Sequence, residues 1–346
     1  MALNELTEKL KTKDYTGVYL FAGDEEYTKD FYIKKIRDFC IGQNPPDNLR
    51  IVFNRAGITP DSLADGVFTL PFFGDKKAIE IYDFQINQPS NILNRYVNIL
   101  GNIPKGISVL FIYRSGEFDF KSLTGKPDGK NELLDFLASE GICVEFAAEK
   151  GEKLISWIKR HFKAENADIT NEAAAFLPEY CGNDMYILAG EIDKLCAVYS
   201  GKPFTVADIE EICSPNTEFK LYDIVNSLGE GNATKLKKIY DSLVFTKTRP
   251  EFILGTIAGY FTDLLIFRTA LAEGKTEKDI KIKLGYSDFQ TRKFAYASRA
   301  VDADFINHGI KECRETDMAV KGYASDPYTA IELMLYRILS YGKRKA

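Results

Sequence analysis

Residues 19–30 read YLFAGDEEYTKD: a run of apolar, strand-favouring residues, then a glycine, then the charged start of a helix. A strand that ends in glycine and turns into a helix is the local design of a phosphate-binding loop. The first question is therefore whether this one holds a nucleotide. The surrounding pattern predicts a domain of that kind. VYLFA at 18–22, IVFN at 51–54, AIEIY at 78–82, SVLFIY at 108–113 and CVEF at 143–146 read as strands, with helical stretches between them. In the first such stretch Ile33, Ile36, Phe39 and Cys40 share one helical face, and TPDSLADGV opens with Thr59 as a cap and Pro60 in the first turn. Strands apolar on both faces, alternating with helices, predict a parallel sheet covered by helices.

The loop itself reads differently from the domain around it. A Walker loop, GxxxxGK[ST], uses bare amides, a lysine and a hydroxyl to hold phosphates and magnesium. Counted from Gly23, this chain has Thr28 at the second glycine, Lys29 at the lysine and Asp30 at the hydroxyl position, with Asp24, Glu25 and Glu26 inside the loop. Each carboxylate beside a triphosphate costs on the order of 1 to 4 kcal/mol. The expectation is a loop that does not bind nucleotide, with Asp24 capping the helix and Glu25 and Glu26 complementing its dipole. SVLFIY runs into Arg114 and Ser115 rather than paired acidic residues, so the magnesium-holding part is missing as well.

Beyond Glu149 the strand signals stop. Residues 150–213 give helical runs, among them ITNEAAAFLPEYCG and NDMYILAGEIDKLCAVYSG, and residues 214–340 give longer ones such as EFILGTIAGYFTDLLIFRTALAEG. The expected division is an α/β domain over 1–147, a small helical domain over 148–213 and a helical domain over 214–346. A chain of 346 residues is too long for one ordinary core and fits two or three domains. Its 45% hydrophobic and 27% charged content is that of a globular protein, and a net charge of −5 requires any nucleic-acid contact to come from a local basic patch. No stretch approaches the roughly 20 apolar residues of a membrane span, and MALNELTEKLKTKDY lacks a signal-peptide core, so a cytoplasmic protein is expected.

Cys40, Cys143, Cys181, Cys196, Cys213 and Cys313 are never spaced as CxxC and sit mostly in apolar runs. They read as buried thiols rather than metal ligands or disulfides. His161 and His308 are far apart in sequence, which gives poor support to a zinc site or a histidine-based triad. No metal, cofactor or catalytic residue is expected.

The second unusual stretch is VFTLPFFGDKK, residues 67–77. Pro71 prevents a regular helix, and Leu70, Phe72 and Phe73 crowd three large apolar groups beside Gly74 and the charged Asp75, Lys76 and Lys77. Such a segment either plugs the sheet edge or stands exposed as an anchor for a partner's pocket. Spacing alone leaves both open.

Taken in order, these stretches resemble the delta subunit of the bacterial DNA polymerase III clamp loader. The resemblance rests on YLFAGDEEY, LPFFGDKK before AIEIYDF, NDMYILAGEIDKLCAVY, EFKLYDIVNSLGEGN, KIKLGYSDFQTRKF and DMAVKGYASDPYTAIELMLYRIL, and covers about residues 16–340. It implies an AAA+-like N-terminal domain without functional ATPase motifs, a helical lid-like domain and a helical collar domain that assembles with gamma/tau and delta-prime subunits. It also implies that Leu70, Pro71, Phe72 and Phe73 form the element that enters the sliding clamp (beta subunit) and favours its opening for loading onto primed DNA. Two departures from working AAA+ ATPases accompany it: Tyr186 stands near where a lid helix often carries a phosphate-sensing arginine, and no Ser-Arg-Cys run supplies an arginine finger. The chain by itself is expected to be no enzyme.

Lys235, Lys238, Lys283, Arg292 and Lys293 are candidates for primer-template contact, although a solvated helix surface also explains them. The alternative function is a helix-turn-helix DNA-binding protein reading DNA with IKIKLGYSDFQTRKFAYASR. Phe289, Phe294 and Tyr296 argue against it, because they read as core.

Overall fold

The computed structural model describes residues 2–13, 15–42, 49–69, 76–123, 131–199, 201–286, 288–322 and 326–343. The chain divides into two compact units, 1–154 and 155–346.

The first unit holds a five-stranded, all-parallel sheet in the order β2-β3-β4-β1-β5. Its strands are β1 (Gly17–Ala22), β2 (Arg50–Asn54), β3 (Lys77–Tyr82), β4 (Ile107–Ile112) and β5 (Ile142–Glu145). Each predicted strand lies within a residue or two of its observed position; β1 and β4 are buried on both faces and are continuous apolar runs, whereas the edge strand β2 is exposed or half-buried along its length. Alternate side chains feed two cores. Val18, Leu20 and Ala22 of β1 pack under α3 (Pro60–Phe68), α4 (Ser90–Leu100) and α5 (Glu132–Glu140), through Leu63, Leu93, Tyr96, Leu133 and Leu137. Tyr19 and Phe21 point the other way, under α1 (Ala2–Thr12) and α2 (Glu26–Ile41), through Leu6, Leu10, Ile33 and Ile36. The cap on α3 is as expected: Thr59 accepts from the Ser62 amide at 3.1 Å and Pro60 fills the first turn.

α2 carries the chain from β1 to the far edge at β2, and the return through β3 and β4 closes beside β1. The strand order therefore reverses between β1 and β4, where open parallel sheets place their ligand crevice. Glu80, in the middle of β3 and fully buried, is held by Arg37 of α2 at 2.5 and 2.9 Å and by Arg50 of β2 at 2.9 and 3.3 Å. That ion cluster ties helix, edge strand and inner strand together.

The second unit is helical apart from one isolated bridge, Ile169 to Phe204, among its described residues. α6 (Glu152–Ala164), α7 (Asn171–Cys181), α8 (Met185–Ala197) and α9 (Val206–Ile212) come first. They are followed by α10 (Thr217–Gly229), α11 (Ala233–Phe245), α12 (Pro250–Ala272), α13 (Glu277–Leu284), α14 (Asp288–Ala300), α15 (Ala303–Lys321) and α16 (Pro327–Lys343). α12 corrects one expectation: by length and composition it is apolar enough to cross a membrane. Its Ile253, Ile257, Phe261, Leu264 and Phe267 are instead the centre of the core shared by α10 to α16. α15 reaches α12 closely at Gly309, where a Cβ would lie 2.6 Å from the Phe261 ring.

Candidate functional site

The segments following β1 and β4 meet at the reversal of strand order. Gly23 has φ +111°, and a Cβ there would lie 2.3 Å from the Phe146 carbonyl oxygen. Only glycine permits that approach. The Glu25 amide donates to the same carbonyl at 2.9 Å, and the Phe146 amide donates back to Ala22 at 2.7 Å. The turn is thus laced to the end of β5.

Lys29, at the position of a phosphate-contacting lysine, is only 1% exposed. Its ammonium donates to the carbonyls of Tyr113 at 2.7 Å and Gly23 at 3.1 Å, and to Glu26 at 2.8 Å. Three donors thus meet three acceptors. Glu26 also accepts from the Ser115 amide at 2.9 Å, and Asp24 accepts from the Ser115 hydroxyl at 2.6 Å. Thr28 is half-buried and Asp30 exposed, both within the first turns of α2.

Asp24 is therefore not the helix cap. α2 begins at Glu26, with Glu25 at the cap position making no side-chain cap hydrogen bond. A hydroxyl 91 residues away in sequence takes the Asp24 carboxylate instead. Arg114 is bound to the end of β3: its side chain donates to the buried Asp83 at 2.6 Å and its amide donates to the same carboxylate at 3.0 Å. Burial pushes the Asp83 carboxyl upward, but the Arg114 amide and guanidinium outweigh that and hold it below the usual carboxylate range.

The other unusual stretch joins α3 to β3. Leu70, Pro71, Phe72 and Phe73 lie outside the described residues, whereas their flanks are defined. Phe68, the last residue of α3, is 48% exposed. Lys77, expected to belong to a charged flank, is 1% exposed instead. Its ammonium donates to the carbonyls of Gly66 at 2.7 Å and Thr69 at 2.5 Å, and its amide donates to Gly106 at 3.0 Å. A cation at the C-terminal turn of a helix satisfies carbonyls that lack partners within the helix. Burial lowers the Lys77 pKa. The last turn of α3 and the first residue of β3 are thus tied together by one side chain.

The basic candidates of the helical unit separate into two groups. Lys235 and Lys238 line a shallow hollow of about 330 Å³ with Lys220 and Asp223. Lys293 lies with its ammonium 3.8 Å from the centre of the Phe219 ring and 3.9 Å from Asp223, and burial pushes its pKa down. Lys283 is exposed, and Arg292 is exposed 3.9 Å from Glu172. Phe294 is buried and stacked against Tyr260 and Tyr286, as a core residue should be. Tyr296 was expected in the core and is 72% exposed, because it falls on the opposite face of α14. The Phe289 side chain lies outside the described residues. Tyr186 sits in the first turn of α8, where its amide donates to Asp184 at 2.8 Å.

The parallel sheet, its strand order and the lysine at the β1–α2 turn define an AAA+-like α/β domain joined to a helical C-terminal unit. Two family profiles match this chain: "DNA polymerase III, delta subunit" over residues 19–147, and "DNA polymerase III delta subunit, C-terminal domain" over residues 218–338. The chain belongs to the DNA polymerase III delta-subunit family. A curated relative, "Probable DNA polymerase III subunit delta" of Aquifex aeolicus, is 20% identical over 322 residues, covering 89% of this chain and 87% of the relative. A solved structure, the Bacillus subtilis DNA clamp loader delta protein, superposes with a TM-score of 0.57 at 19% identity, covering 98% of this chain and all of that one.

Sequence reading missed Ser115 and Lys77 as organising residues. Lys77 left one signal, a lysine opening an apolar strand, where a buried charge needs a fixed partner.

Proposed function

We propose that this chain is the clamp-loader subunit that binds the ring-shaped sliding clamp through Leu70, Pro71, Phe72 and Phe73 and favours the opened ring. The observation that carries the reading is the Lys77 knot, which gives a short apolar segment a fixed root beside the exposed Phe68. A rooted anchor spends less of its binding free energy on ordering. Burying one leucine and two phenylalanines contributes roughly 1.5 to 3 kcal/mol each before that cost. A ring that opens and closes is a two-state system, and the anchor shifts it by its differential affinity for the opened state.

ATP acts elsewhere in this scheme, in the gamma/tau subunits that join this chain and delta-prime. Lys29 supports that assignment, since its bonds are spent inside the chain. The cytoplasmic chain would comprise an AAA+-like domain over 1–147, a lid-like domain over 148–213 and a collar over 214–346, with Lys235 and Lys238 facing primer-template phosphates. Calorimetric titration with the sliding clamp of the same organism tests the reading. Nucleotide-free binding should be present in the native chain and lost in a folded Leu70→Ala/Phe73→Ala variant; equal affinity in both would sink it.

A further inference from the structure

Three helices of the second unit deliver acidic, metal-ligating side chains to one buried point. Cys181 is the last residue of α7, Glu191 lies in the middle of α8 and Cys213 caps the end of α9. One ligand atom from each falls within 4.8 Å of the others, and all three residues are buried. Sequence spacing concealed the group: its members stand 10 and 22 residues apart, and only the packing of α7, α8 and α9 gathers them.

We propose that Cys181, Glu191 and Cys213 form a structural site for a thiolate-seeking divalent cation of the Zn²⁺ type. Two thiolates and a carboxylate are a donor set of the borderline kind that Zn²⁺ takes in tetrahedral sites. Charge balance favours the ion as well. Three anionic ligands are offset by one divalent cation and by Lys194, whose ammonium lies 2.5 Å from Glu191 Oε2. Glu191 Oε2 also accepts from the Ser214 amide at 3.2 Å. Both of these bonds fall on one oxygen and orient the carboxylate, which leaves Oε1 to the metal. Cys181 also lines a cavity of about 710 Å³ whose walls include Asn216, Lys293 and Tyr222. In the proposal, water drawn from that cavity takes the fourth position.

Binding is coordination without redox change: each thiol gives its proton to solvent as its sulfur takes the metal, so one cation displaces two protons. The bound ion would join the ends of α7 and α9 to α8, just ahead of Asn216, the residue that caps α10.

The test is a Co²⁺ titration of the full chain in a thiol-free reductant, followed by absorption. One equivalent should produce a thiolate-to-cobalt charge-transfer band and the strong visible bands of a tetrahedral site, and Zn²⁺ should erase both with release of Co²⁺. Cys181→Ser/Cys213→Ser should abolish the bands, whereas Cys313→Ser should leave them unchanged. Glu191→Gln, which keeps the shape of the side chain, should weaken Co²⁺ at least tenfold and serves if the double variant does not fold. A native chain with no thiolate band in excess Co²⁺ overturns the proposal. So do a band that survives the double variant and an unaltered affinity in Glu191→Gln.

Discussion

Lys29 and Lys77 are both 1% exposed and both donate to two main-chain carbonyls, yet they close different structures. Lys29 joins the turn after β1 to the strand end of β4 and adds a carboxylate, Glu26. Lys77 joins the end of α3 to the start of β3, and its described partners are carbonyls alone. The first ties down the turn at the reversal of strand order. The second fixes the base of a segment that the proposed function sends outward. A buried ammonium is costly in either place, so each must satisfy groups that would otherwise be stranded.

The comparison breaks most visibly at the anchor. Leu70→Ala/Phe73→Ala should weaken clamp binding about 100-fold or more, following the roughly 1.5 to 3 kcal/mol per side chain and 1.4 kcal/mol per tenfold. Unfolding midpoints of the variant should match those of the native chain. Next comes the ion cluster that both regions share through β3. Glu80→Gln removes the charge that Arg37 and Arg50 share, and because both guanidiniums keep contact with solvent it should cost about 2 to 4 kcal/mol in urea unfolding, less than for a fully buried pair.

The pH dependence of Glu80 is a separate readout. Burial raises its carboxyl, but the hydrogen bonds and charges of Arg50 and Arg37 outweigh burial and leave it below the usual value. Its stabilisation is therefore complete above the unfolded value of about 4.3 and is lost as pH falls through the lower folded value. Native stability should fall more steeply than that of Glu80→Gln below about pH 4; parallel curves would remove Glu80 from the acid limb.

The two lysines are separated directly by paired variants. Lys29→Met and Lys77→Met each strand two carbonyls and should cost about 2 to 4 kcal/mol of stability. Only Lys77→Met should also weaken clamp binding, by about tenfold, through loss of the fixed root. Equal clamp affinity in both variants would mean that Lys77 does not root the anchor. The smallest effect belongs to the start of α3: Thr59→Ala removes its capping bond and should cost about 1 kcal/mol, with clamp affinity unchanged.

What the sequence reveals depends on how local the cause is. Buried strands such as SVLFIY and the Thr59-Pro60 helix start are written in adjacent residues, and both stand where expected. α1 is less visible, because its amphipathic run is mostly polar and, among the described residues, buries only Leu6 and Leu10. Asp24 stands beside the start of α2 in sequence, yet its partner is Ser115. Tyr296 shares the aromatic character of Phe294, but two positions along a helix is about half a turn and a different face. The role of Lys77 depends on Gly66 and Thr69 curling back over it, a tertiary event that a run of charged letters does not announce.

The Lys77 knot also has a mechanical meaning. A pull on the segment rooted there enters the chain at the first residue of β3, which is hydrogen-bonded along its length to β2 on one side and β4 on the other. Such a load runs along the strand and is shared by two ladders in shear, rather than opening one bond after another. The Lys77 ammonium diverts part of it into the end of α3. Strain imposed by a partner would therefore be taken up by the sheet as a stiff body, spread over both ladders of β3.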